Sequence, residues 1–200
     1  MNVPTVDDLA LIPRRRLWTY KEFERAGELG LFGPDERLEL IEGEIIRKVA
    51  PQLTPHAVAS GLVEHALAGI CPQHCHVRNQ KPLKIGAKSG PEPDIAVVRG
   101  SLRDYLSSHP TSAELIVEVA DSSLRLDRGA KASLYARAGV PEYWILDLTN
   151  RVLEVCREPA AMTEQPLRHH YRSIIRLTEN DHVTAIIAPE TSISVAELLP

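Results

Sequence analysis

The spacing of apolar positions changes several times along this chain, and each change marks an element. Thr19 followed by Glu22 forms a capping box, which predicts a short helix that ends near Gly30. Pro34 and Asp35 then turn the chain into the segment Arg37 to Lys48, where two apolar runs around Glu42-Gly43 predict a β-hairpin. Thr54-Pro55 opens a second helix, with Val58, Leu62, Val63, Ala66, Leu67 and Ile70 at helical spacing on one buried face. Val77 to Ile85 alternates as a strand broken by Pro82. Ile95 to Val98 and Leu115 to Ala120 are short continuous apolar runs, as central strands covered on both faces require. A helix is expected between Asp127 and Gly139, with the glycine ending it. Tyr143 to Asp147 and Val152 to Val155 flank a turn at Thr149-Asn150 and read as a second hairpin. Strands follow near Tyr171 to Leu177 and His182 to Ile187, and Ser194 is placed to cap a terminal helical turn. The pattern predicts an α/β fold, a mixed β-sheet flanked by helices with additional β-hairpins. It also predicts one domain over residues 18–200 behind an N-terminal arm, 1–17, in which Arg14 to Arg16 form a solvated basic run.

Composition narrows the function classes. Apolar residues at 44% and charged residues at 25% exclude intrinsic disorder and a disulfide mini-scaffold. With aromatics at 4%, Leu, Ile, Val and Ala must build the core. The 23 basic and 27 acidic side chains leave a net charge of −4, so contact with a polyanion has to come from a local patch or a bound cation. The first residues lack a basic stretch followed by an apolar one, and no run approaches the roughly 18 apolar residues that cross a bilayer. Together with the odd set Cys71, Cys75 and Cys156, read as reduced thiols, this predicts a cytoplasmic protein without membrane association.

Three ionisable residues interrupt the apolar pattern. Glu118 stands inside Leu115 to Ala120 and by alternation shares a face with Ile116 and Ala120. A buried carboxylate costs several kcal/mol unless it is paired or holds a cation, so Glu118 is either a strand-end ion pair or part of a site. Asp94 leads the run Ile95 to Val98. Lys131 belongs to the same helical stripe as Leu134, Tyr135 and Ala138, so a core-facing stripe carries a lysine. That lysine either snorkels to the edge, with Asp127 one turn earlier as a partner, or serves chemistry. Two strand carboxylates and an inward lysine suit phosphodiester hydrolysis, in which carboxylates hold Mg²⁺ against a phosphate and a lysine steadies developing charge.

The stretch from Glu118 through Asp127, Lys131 and Tyr135 to Asp147 resembles the Uma-type restriction endonucleases, a branch of the PD-(D/E)XK nuclease superfamily. The resemblance extends upstream, in the same order, to Glu39–Glu44, His56, Gln80–Leu83 and Pro91–Ile95, and is most specific at Gly139 to Trp144. It implies a restriction-endonuclease-like fold and Mg²⁺- or Mn²⁺-dependent endonuclease activity on DNA that leaves 5′-phosphate and 3′-hydroxyl ends. A homodimer is also implied. Asp94 and Glu118 would be the metal ligands, with the backbone carbonyl of Val119 a third. Lys131 would be the catalytic lysine, and Glu39 an acid approaching the same site. His56 and Gln80 match polar positions near the cleft. The superfamily lysine two residues after the acid is replaced here by Ala120, so the lysine has to come from the following helix. Asp121 stands where the family commonly has serine. It favours the competing reading, a catalytically weak DNA-binding or regulatory module. A third reading is a metal-dependent hydrolase acting on another phosphoester.

Other signals carry less. Cys71, His74, Cys75 and His76 lack the second ligand pair that a structural zinc site needs. There is no nucleophile elbow, phosphate-cradling glycine loop or dinucleotide fingerprint. Tyr143 and Trp144, on a strand, are expected in the core.

Overall fold

Leu115–Ala120 and Glu142–Asp147 have every residue buried, because each lies in the middle of a sheet covered on both sides. The computed structural model describes residues 15–48 and 54–200, so most of the expected arm, Arg14 included, lies outside the described residues. Six strands form the main sheet in the order β3-β4-β5-β6-β7-β8. They are Cys75–Asn79 (β3), Ile95–Arg99 (β4), Leu115–Ala120 (β5), Glu142–Asp147 (β6), Val152–Ala161 (β7) and His169–Thr178 (β8). Only β5 and β6 run parallel, and the chain between them crosses over through a helix.

Helix α1 is Tyr20–Glu28, with the Thr19–Glu22 capping box in place. Helix α2, Thr54–Ile70, covers one face of the sheet, packing Ala59, Val63 and Leu67 on Val117, Val119 and Trp144. The crossover helix α3 covers the other face in three consecutive pieces: Leu124–Leu126, a π-helical turn Asp127–Lys131, and Ala132–Arg137. Its Leu134 and Tyr135 pack with Ile116, Ala120, Tyr143 and Tyr171. The hairpin β1, Leu38–Ile41, with β2, Glu44–Arg47, lies on this same side, where Ile41 and Ile46 join the cluster. Its turn places Glu42 at φ 51° and Gly43 at φ 83°, the two left-handed positions of a tight hairpin turn. A short pair, His182–Thr184 (β9) with Ser192–Ser194 (β10), ends the chain before a 3₁₀ turn, Val195–Leu198. No helix among the described residues is long and apolar enough to cross a membrane.

The expected α/β architecture is present, with local differences. The strand expected over Val77 to Ile85 is β3, which starts at Cys75 and stops at Asn79. Gln80 turns into the left-handed region at φ 46°, and Pro82 has no N–H to continue a ladder. Val58, expected on the buried face of α2, is 45% exposed, since the helix packs through Ala59 and Val63 instead. Helix α3 begins three residues before Asp127. The strand expected over His182 to Ile187 stops at Thr184, and its three-residue partner β10 is too short to show a period. Ser194 does precede the final turn, but its side chain makes no capping hydrogen bond.

Candidate active site

The pairing of β4 with β5 sets the site. Ile95 faces Val117 and Ala96 faces Ile116, so one further step of the antiparallel register puts Asp94 beside Glu118 on the α3 side of the sheet. The Val119 N–H donates to Asp94 Oδ2 at 2.9 Å, which fixes the aspartate where β4 begins. Both acids are buried, at 5% and 3% exposure. The Gln80 N–H donates to the Asp94 carbonyl and so holds the backbone here. Gln80 does not line the cleft onto which Asp94 and Glu118 open.

Helix α3 brings the lysine. The crossover starts immediately after β5, and its π-helical turn ends on Lys131, with Leu134 and Tyr135 packed against the sheet beyond it. Such turns are rare insertions that redirect side chains, often at functional sites. Lys131 Nζ donates to Glu118 Oε1 at 2.9 Å and to Glu39 Oε1 at 3.3 Å, and lies 3.9 Å from Asp127 Oδ1. The Tyr135 hydroxyl donates to the same Glu118 oxygen at 2.8 Å. Ser123 Oγ–H holds Asp127 Oδ2. Lys131 is only 2% exposed.

The β1–β2 hairpin brings Glu39. Leu40 exchanges backbone hydrogen bonds with Gly90, tying the hairpin to the segment that leads into Asp94. A side chain at Gly90 would run into the Tyr20 ring, so this close approach requires glycine. Glu39 faces Ile46 in the hairpin register, which makes Lys48 its diagonal neighbour on the same face. Lys48 Nζ lies 2.8 Å from Glu39 Oε1 and donates to the Glu92 carbonyl at 2.8 Å. Across the site, His56 of α2 sets Nε2 3.2 Å from Asp94 Oδ2.

Thus Glu39, Asp94, Glu118, Asp127, Lys131 and His56 meet at one place, and Val119 lies between two of them. Lys48 and Tyr135 complete the group, although the sequence reading assigned neither a role at a site. Tyr135 could have been found four residues after Lys131 on the same stripe. Lys48 could have been found from the hairpin register once Glu42-Gly43 was placed in the turn.

Electrostatics separate the acids. Burial pushes the Glu118 carboxyl up to about 8, against the opposing charge of Lys131. Burial also raises Asp127, with Lys131 and Ser123 opposing. For Asp94, burial is outweighed by the hydrogen bond and charge of His56, with help from Lys48 and the Val119 N–H, and the group is held below the usual carboxylate range. In Glu39 the effect of burial is outweighed by Lys131 and Lys48, again lowering it. Burial would lower Lys131, but Glu118, Glu39 and Asp127 outweigh it and keep the ammonium protonated. Glu39 Oε2 and Asp127 Oδ1 are buried without a hydrogen-bond partner.

Asp94, Glu118, Lys131, Lys48 and His56 open onto a cleft of about 820 Å³ between the hairpin and α3, lined also by Val119 and the exposed Asp121. Among the described residues, no group of three or more His, Cys, Asp or Glu side chains stands at metal-holding spacing. What the chain offers is a pair of adjacent carboxyl groups, Asp94 and Glu118, on the wall of that cleft. That donor set fits Mg²⁺, which takes one or two carboxylates and fills its remaining positions with water and phosphate oxygens.

The Uma2 family, described as "Putative restriction endonuclease", matches residues 20–194. Among solved structures, a "putative nuclease belonging to DUF820" from Anabaena variabilis superposes with a TM-score of 0.65 at 20% identity, covering 90% of this chain and 97% of that one. At that identity the likeness is one of fold. No curated protein matches significantly.

Proposed function

This chain belongs to the Uma2 family, and from that premise we propose that it is a divalent-metal-dependent nuclease hydrolysing DNA phosphodiester bonds in the cleft between the β1–β2 hairpin and α3. The observation that carries the proposal is the burial of Asp94, Glu118 and Lys131 at that cleft, with Glu39 hydrogen-bonded to Lys131, the four delivered from β1, the β4–β5 pair and α3. Packing alone does not ask for four ionisable groups there, because their desolvation is costly and an apolar set would fill the same volume.

Asp94 and Glu118 are the residues that would hold Mg²⁺ or Mn²⁺, with the Val119 carbonyl as a further ligand. The ion supplies positive charge at the phosphate and acidifies bound water. Hydrolysis exchanges the P–O3′ bond for a bond from phosphorus to a water oxygen, leaving 5′-phosphate and 3′-hydroxyl ends. The chain's residues preorganise that exchange. His56 and the Val119 N–H fix the Asp94 carboxylate, and Tyr135 and Lys131 fix one oxygen of Glu118. Glu39, held by Lys48, keeps Lys131 protonated and aimed at the cleft, where the ammonium meets charge developing on phosphorus.

Nicking of supercoiled plasmid tests the proposal. Nicked circles are expected with Mg²⁺ or Mn²⁺ and none in EDTA. Equal nicking in EDTA, or none with either metal, contradicts it. A second reading, a nuclease-fold module with weak or no catalysis, draws on the engagement of Asp94 and Glu118 by His56 and Lys131 and on the extra acid Asp121 at the cleft mouth. It predicts DNA binding without nicking.

A further inference from the structure

Several arginines of the described surface are neutralised by neighbouring acids. Arg128 is neutralised by Asp147 and Glu154, Arg151 by Glu179, Arg157 by Glu142 and Arg137 by Glu42. Arg37 on the hairpin wall and Arg125 on the α3 wall both line the cleft, and neither forms an ion pair among the described residues. Lys48 stands next to Arg37, since the Lys48 N–H donates to the Arg37 carbonyl where the hairpin opens. Two contacts fix its ammonium, to Glu39 and to the Glu92 carbonyl, and at 22% side-chain exposure it reaches the cleft while Lys131 lies buried behind it. An ammonium has three protons, so the third is available to a ligand.

In a chain of net charge −4, free cations gathered on both walls of one cleft call for an anionic ligand that touches both walls. We propose that Arg37 and Lys48 on one wall and Arg125 on the other form a phosphate track that clamps the nucleic-acid backbone on either side of Lys131. The proposal rests on the nuclease reading and adds how the substrate is held. Backbone contacts of this kind position a strand without reading its sequence. The track therefore gives affinity that falls with salt and shows no preference among sequences.

The test is fluorescence anisotropy of a labelled 20-base-pair DNA duplex in EDTA, titrated with the full chain at several KCl concentrations. Each phosphate contact contributes about 0.9 to the slope of log affinity against log salt. The double variant Arg37→Ala/Arg125→Ala should lower the slope by about 1.8 and weaken binding by about tenfold or more. Lys48→Met should lower it by about 0.9, and Lys48→Arg should restore it. Arg103→Ala, an exposed arginine past the far end of β4, should leave the slope unchanged. A wild-type slope in the double variant, an equal drop in Arg103→Ala, or no binding by the wild-type chain overturns the track. Plasmid nicking is scored separately. Nicking with an unchanged slope refutes the track alone, while the expected slopes without nicking uphold the track and refute the nuclease.

Discussion

Glu118 and Glu142 are buried carboxyl groups on the two parallel strands at the centre of the same sheet, and their surroundings are opposite. Glu142 begins β6 at 0% exposure and is fully satisfied. Arg157 donates to it twice, at 2.9 and 2.6 Å, and the Trp144 indole N–H and the Ile186 backbone N–H add two more hydrogen bonds. Glu118, near the end of β5, receives Lys131 and Tyr135 on a single oxygen, and Asp127 and Glu39 compete for the same lysine. The first arrangement balances a charge with donors and needs nothing more. The second gathers carboxyl groups faster than cations and opens onto a cleft. A buried acid in a strand is therefore not by itself a site; the completeness of its hydrogen bonding tells the two apart.

That contrast can be broken at its strongest point first. Glu118→Gln keeps the volume and a partner for Tyr135 but removes the charge, so nicking should fall by about three orders of magnitude or more while the fold persists. Comparable nicking by the variant would make Glu118 structural, like Glu142. The mirror experiment is Glu142→Ala, which leaves Arg157 and two N–H groups facing a void. Urea unfolding should show a loss of about 3 kcal/mol, with activity per folded molecule retained. A stability near wild type would remove the distinction between the two acids.

The third effect depends on pH. A Glu118 carboxyl raised to about 8 binds a proton in the folded state that the unfolded state releases near 4.5. Between those values the folded state holds more protons, so this group lowers stability as pH rises. Glu118→Gln removes that slope. In EDTA, the stability of the variant relative to wild type should therefore improve from pH 5 to pH 8, by about 1 kcal/mol per pH unit. A difference that stays flat or declines with pH would contradict the raised carboxyl.

Much of this arrangement was legible in the residues because it follows from local periodicity. Strand alternation put Glu118 on the face of Ile116 and Ala120, and helical spacing put Lys131 with Leu134 and Tyr135; the two faces are the same face. The turn at Glu42-Gly43 was legible because it separates two apolar runs, and its two left-handed residues are those of a tight hairpin turn. The remainder depends on contacts between elements distant in the chain. The ion pair of Lys48 with Glu39 emerges only from the hairpin register, and the hold of Gln80 on Asp94 only from how β3 ends. The π-helical turn has no composition of its own, since Asp127 to Lys131 would also suit an ordinary helix. Strand β10 escaped the sequence because three residues with one buried side chain are too few to show a period.

The most direct measurement concerns Lys131, the buried cation on which Glu39, Glu118 and Asp127 converge. Lys131→Met should be compared with wild type in Mg²⁺-dependent plasmid nicking, with Mg²⁺ affinity by titration calorimetry and the melting temperature recorded on the same preparations. The account predicts a folded protein that still binds the metal and cleaves about two or more orders of magnitude more slowly. An unchanged cleavage rate in a folded, metal-binding Lys131→Met variant would contradict it and leave Lys131 a structural partner of Glu118.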